Sequence, residues 1–158
     1  MKNSDANKRI LLVGIGNTGR GDDGLGWKFV DAIENYGYAN LDCEYRYQLQ
    51  IEDAELISNY DVVVFVDACY DTYVKTFKLE RCIADDQVSY STHAQLPEVV
   101  VHLAYTFYNK FPDAYVLLIA GKEWGLQISL STQAENHLSQ ALTFFNEKFQ
   151  SALSLEPA

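Results

Sequence analysis

Three aspartates and a histidine, far apart in the chain, carry the chemistry legible in this sequence. Asp22 and Asp23 close a glycine-rich stretch that runs from Gly14 to Gly24. Asp67 follows the unbroken apolar run Val62-Val-Val-Phe-Val66, and His93 follows a polar segment that begins at Arg81. Two carboxylates and an imidazole converging in a cleft make a divalent-metal site of the O/O/N kind. Asp67 is the most telling member. An ionised carboxylate hard against a valine-rich strand costs energy unless something pairs with it.

Blander roles stand beside these. Aspartates at a helix start often only cap it or complement its dipole, and one of Asp22 and Asp23 is expected to do just that. Asp67 could cap a following turn. His102 and His137 fall within helical patterns and read as packed or exposed side chains. Cys69 lies two residues past Asp67 but has no neighbouring base in sequence, so it is not read as a nucleophile. The eleven tyrosines read as core and edge packing.

The elements that must position these residues alternate between strand and helix. Ile10–Val13 reads as a buried strand, and a helix over 24–36 follows, with Leu25, Phe29, Val30 and Ile33 on one side. Gly37 stops it. Residues 41–48 alternate like a half-exposed edge strand, and 51–59 read as a short helix. Val62–Val66 has the continuous apolar character of a central parallel strand. Residues 73–79 are again β-prone. They follow too closely for a parallel crossover, so this strand is expected to run antiparallel. Pro97 opens a helix to about Lys110, Ala114–Ala120 is another buried strand, and Thr132-Gln-Ala-Glu135 reads as a capping box before the last helix. This alternation predicts a three-layer α/β/α sandwich with a mostly parallel sheet. In such a sheet the first and third strands flank a ligand crevice.

At 158 residues the chain reads as one domain, 1–158, with 1–8 and 151–158 expected to be loose. The net charge of −10 argues against nucleic acid and anionic membrane as partners. Three cysteines without a C-x-x-C pair suggest reduced thiols and a cytoplasmic protein. The first eight residues lack the apolar core of a secretory signal. No apolar run reaches the ~18 residues of a membrane span.

Two familiar motifs fit poorly. Gly14-Ile-Gly-Asn-Thr-Gly19 matches the dinucleotide fingerprint, but Arg20, Gly21 and Asp22 separate it from the helix, and the acid expected after the second strand is missing. No organic cofactor is expected. A phospho-receiver would use Asp22, Asp23, Asp67 and Lys122, yet here the acidic pair lies eight residues beyond Gly14, and the turn after Asp67 lacks the receiver's Pro and Gly.

The combination resembles the [NiFe]-hydrogenase maturation proteases. The likeness rests on Gly14-Ile-Gly16-Asn17 with Gly21-Asp-Asp-Gly-Leu-Gly26, then Tyr47-Gln-Leu49, Val64-Phe-Val-Asp-Ala68, and Ser91-Thr-His93 followed by Leu96-Pro-Glu98. Gly121, Gly125-Leu126 and Leu130-Ser131 continue it, so it spans nearly the whole chain. It departs after Gly121, where the family's Gln or Glu followed by Pro is replaced by Lys122-Glu-Trp124. The resemblance implies a five-stranded mixed sheet with one antiparallel strand. It implies an aspartic-type endopeptidase that removes the C-terminal extension of the hydrogenase large-subunit precursor after nickel insertion. By motif, Asp23, Asp67 and His93 would contact nickel presented by that substrate and act in catalysis, with Gly16, Asn17 and Asp22 supporting the loop. The alternative is a non-catalytic docking module or chaperone that senses metal in the precursor.

Overall fold

The computed structural model describes residues 7–84 and 96–153. Strands β1 (Ile10–Ile15), β2 (Leu41–Arg46), β3 (Val62–Cys69), β4 (Phe77–Arg81) and β5 (Asp113–Ala120) form one sheet in the order β2-β1-β3-β5-β4. All neighbours pair in parallel except β4 with β5. Residues 70–76, between β3 and β4, are too few for a crossover, so the chain turns back as the spacing required.

Helices α1 (Leu25–Glu34) and α4 (Thr132–Lys148) cover one face, and α2 (Asp53–Ile57) and α3 (Pro97–Tyr108) cover the other. The sheet is thus the middle layer of an α/β/α sandwich. Along β1, Ile10 and Leu12 face α1 and α4, while Leu11 and Val13 face the opposite helices. Burial on both faces is why the strand has no polar alternation. Phe29 of α1 and Phe145 of α4 meet edge-on at 5.4 Å.

Several boundaries differ from the sequence reading, and at three of them the structure shows a local reason. β3 runs on to Cys69 because its ladder with β5 persists through Asp67↔Leu118 to Cys69↔Ala120. Asp67 therefore lies within the strand. β4 begins only at Phe77. Asp71 folds the preceding segment into a turn, its carboxylate accepting from the Tyr73 N–H and its carbonyl from the Val74 N–H. The last helix is capped by Ser131, whose hydroxyl accepts from the Ala134 N–H, and Thr132 is its first residue.

The packed chain also extends past the expected ends. Ala152 and Leu153 join the core beneath α4, and the Asn40 side-chain amide donates to the carbonyls of Lys8 and Ala152. The rest of the two segments read as loose, 1–6 and 154–158, lies outside the described residues. Strand order reverses beside β1, so the crevice of this sheet opens at the carboxyl ends of β1 and β3.

Candidate metal-binding cleft

A cavity of about 260 Å³ opens at that crevice. Ile15 and Gly16 from the end of β1, Asp23, Asp67, the turn 47–49, and Leu96 with Pro97 at the start of α3 line it. A roomier hollow of about 490 Å³ lies at the amino ends of β3 and β5, beside Asp61 and Asp113, the end where an open sheet does not bind its ligand.

Asp23 is placed by a tight loop and a 3-10 turn, Gly21–Gly24. Gly16 N–H donates to the Arg46 carbonyl, tying the loop to β2. Asn17 N–H donates both to the Asp23 carbonyl and to Asp23 Oδ2 at 3.0 Å. Gly16 has φ 141, and a Cβ there would lie 2.0 Å from the Asp23 carbonyl oxygen. Only glycine lets the loop close so tightly. Gly26 serves the neighbouring contact. A Cβ on it would lie 2.4 Å from the Val66 carbonyl oxygen, so its absence lets α1 settle against β1 and β3.

Asp22 points away from the cleft. It is fully buried, and its carboxylate accepts from the backbone N–H groups of Lys122, Glu123 and Ser131 and from the Ser131 hydroxyl, at 2.6–2.8 Å. Its own N–H donates to the Glu123 carbonyl, and Gly21 N–H donates to the Gln127 carbonyl. Burial pushes its pKa upward, but the four donors together outweigh burial and hold it below the ordinary value. Asp22 is therefore the member of the pair with a structural role. It rivets the segment after β5 to the turn that carries Asp23.

Asp67 and Asp23 show the opposite electrostatics. Burial, then the nearby Asp23 charge, push the Asp67 pKa up to about 7, against partial relief from the Ala68 backbone N–H. Burial also raises Asp23, offset in part by the Asn17 N–H and the Arg20 charge. These are two carboxylates in one cleft whose ionised forms repel. A bound divalent cation would relieve that repulsion, and hard oxygen donors suit one.

The structure thus brings Asp23 and Asp67 together and turns Asp22 away to a supporting role. His93 lies outside the described residues. Among those described, no group of three or more His, Cys, Asp and Glu side chains is arranged to hold a metal. His102 and His137 are helix residues whose rings meet Thr106 and the Ala120 carbonyl. The three cysteines are free, and no helix among the described residues is long and apolar enough to cross a membrane. Sequence reasoning did not single out Tyr47 and Leu49 as cleft residues. Trp27 stacks on Tyr47 with ring centroids 5.2 Å apart, its indole N–H donating to the Arg46 carbonyl. Arg46 in turn pairs with buried Asp53. The signal that could have found this turn was the run Arg46-Tyr-Gln-Leu49 at the carboxyl end of β2, beside the crevice.

Solved structures share this architecture. The hydrogenase maturating endopeptidase HybD from E. coli is 21% identical with a TM-score of 0.71, over 92% of this chain and 95% of that one. The [NiFe] hydrogenase maturation protease HycI from Thermococcus kodakarensis KOD1 is 20% identical with a TM-score of 0.69, over 94% and 97%. The hydrogenase 2 maturation peptidase from Thaumarchaeota archaeon SCGC_AB-539-E09 is 19% identical with a TM-score of 0.65, over 91% and 99%. No protein-family model matches the sequence, and no curated protein matches it. The chain has the fold of the hydrogenase maturation endopeptidases, over nearly its whole length and nearly all of theirs.

Proposed function

We propose that this protein is a hydrogenase maturation endopeptidase of the cytoplasm. It removes the C-terminal extension of a [NiFe]-hydrogenase large-subunit precursor after nickel insertion. Asp23, Asp67 and His93 bind nickel carried by that precursor. The observation that carries the reading is the Asp23–Asp67 pair: two half-buried, mutually repelling carboxylates lining one cavity at the switch point of the sheet. The shared fold and the sequence resemblance support it. Leu96 and Pro97, which follow the His93 motif in sequence, line the same cavity.

Binding at this pair orients the precursor so that its scissile peptide lies beside the cleft. Nickel supplies a Lewis acid where it is bound. Asp67, with a pKa about 7, is poised to hold or release a proton near neutral pH. Hydrolysis adds water to the carbonyl carbon, breaks the C–N bond and delivers a proton to the leaving amine. A precursor without nickel offers nothing for the carboxylates to grip and is left uncut.

The test uses nickel-loaded and nickel-free precursor with the wild type and with Asp23→Asn, Asp67→Asn and His93→Ala. Trimming of the loaded precursor alone, reduced by at least about a hundredfold in each variant, is expected for residues that act in the transition state. Equal trimming of nickel-free precursor, or full activity in all three variants, overturns the proposal. A docking module would bind the loaded precursor and leave its length unchanged.

A further inference from the structure

The acidic floor of the cleft has an apolar wall that cation binding does not use. Tyr47 lines the cavity, yet 68% of it is exposed. Leu96, 53% exposed, adds a second apolar wall residue. Exposed aromatic side chains are usually mobile, but this one is fixed from beneath. Trp27 stacks on it at an interplanar angle of 29°, and Tyr45 packs edge-on against Trp27 at 5.2 Å. The turn that bears it is tied at both ends. Arg46 bonds Asp53 at 3.0 Å and Glu44 at 3.1 Å, while Asp53 also accepts from the Gln50 N–H. Leu49 is buried and holds the middle.

We infer that Tyr47 is the specificity-determining residue of the cleft, its ring gripping an apolar side chain of the polypeptide segment that brings the cation to Asp23 and Asp67. The inference rests on the proposed function and names which part of the substrate the cleft reads. A rigid aromatic face that loses little freedom on binding is a favourable anchor, and tyrosine is enriched among residues that dominate binding energy. The cavity of about 260 Å³ is smaller than the ~300–1,000 Å³ that encloses a small organic ligand. It suits one side chain beside a cation. The carboxylates match the cation by charge, and Tyr47 with Leu96 matches an apolar neighbour.

The test measures steady-state trimming of nickel-loaded precursor by the wild type, Tyr47→Ala and Tyr47→Phe. KM is expected to rise about tenfold in Tyr47→Ala with kcat within about twofold, and Tyr47→Phe to match the wild type, as for an aromatic binding anchor. An unchanged KM in Tyr47→Ala, or a lost kcat at unchanged KM, overturns the inference. A second arm separates it from the protease reading. The chain has two tryptophans, so in a Trp124→Phe background labelled with 5-hydroxytryptophan and excited beyond the absorption of the precursor's ordinary tryptophans, emission reports position 27 alone. Titrating nickel-loaded precursor should change that emission, with affinity about tenfold weaker when Tyr47→Ala is added. If the wild type binds but does not cut, the endopeptidase proposal falls and this inference survives on the weaker binding. Equal binding with and without the Tyr47 ring, or no binding, overturns it.

Discussion

Asp22 and Ser131, 109 residues apart, are joined by two hydrogen bonds: the Ser131 N–H donates to Oδ1 at 2.7 Å and its hydroxyl to Oδ2 at 2.6 Å. The same hydroxyl accepts from the Ala134 N–H, so one buried carboxylate anchors the cap of α4. Asp22→Ala takes the acceptor from four donors, of which the Ser131 N–H and hydroxyl are buried and cost ~1–3 kcal/mol each, while those of Lys122 and Glu123 lie closer to solvent. A loss of about 3–5 kcal/mol by urea unfolding is expected, against about 1–2 for Ser131→Ala. The double variant should lose less than the sum, because the two share one network.

The same residue sets an acid limit. The folded pKa of Asp22 lies below the ordinary aspartate value of 3.8. The unfolded chain thus binds its proton first as pH falls, and the stabilisation present above about pH 4 is lost as pH drops through the folded value. Asp22→Asn should flatten this acid limb of the stability curve. An unchanged dependence below pH 4 would mean that other carboxylates govern acid unfolding.

Asp67 works in the other direction. Its pKa rises from 3.8 to about 7 on folding. Between those values the native state binds more protons than the unfolded chain, so this residue's contribution falls as pH rises from 4 to 7. Asp67→Asn removes the buried charge and should stabilise the protein by about 2–4 kcal/mol at pH 8, with little gain at pH 4. The variant should also be inactive in trimming. Greater stability with lost activity marks a residue kept for function. A destabilised Asp67→Asn at pH 8 would instead make Asp67 structural.

How much of this was legible follows from the range of the forces involved. The buried strands announced themselves because burial on both faces demands uninterrupted apolar runs, as in Val62–Val66. The direction of β4 followed from chain length alone. Asp67 stood out because a carboxylate beside such a run needs a reason. The division of labour between Asp22 and Asp23 came only from the motif resemblance, since no local pattern tells which of two sequence neighbours faces which side of the turn. Which one is buried depends on donors about a hundred residues away. Ser131 was passed over as a cap because Thr132 and Glu135 offered an equally good local pattern, and the contact with Asp22 is tertiary. The Trp27–Tyr47 stack joins α1 to the turn after β2, and no local pattern encodes it.

The glycines separate close approach from sequence bias. Gly16→Ala places a Cβ 2.0 Å from the Asp23 carbonyl oxygen at φ 141, whereas at Gly125 nothing lies within 4 Å. Gly16→Ala should displace the Asp23 loop, costing about 1–3 kcal/mol and most of the trimming activity. Gly125→Ala should stay within about 0.5 kcal/mol of the wild type. Thermal unfolding with a trimming assay on both variants checks the contrast, and a neutral Gly16→Ala would show that the loop tolerates a different closure.

Thiol chemistry offers a final discrimination. Burial and the surrounding carboxylates push Cys43 up to about 12, and burial with Glu98 does the same for Cys82. At pH 8 about one molecule in ten thousand then carries either thiolate, and the thiolate is the reactive form. Native protein treated with iodoacetamide at pH 8 should be modified slowly at both positions, far more slowly than in urea, as mass spectrometry of the digested peptides would record. Cys69 is also buried, 9% exposed, and its replacement by Ala should leave kcat within about threefold because the proposed hydrolysis needs no thiol. Trimming abolished by Cys69→Ala in a folded protein would replace the carboxylate mechanism with a nucleophilic cysteine.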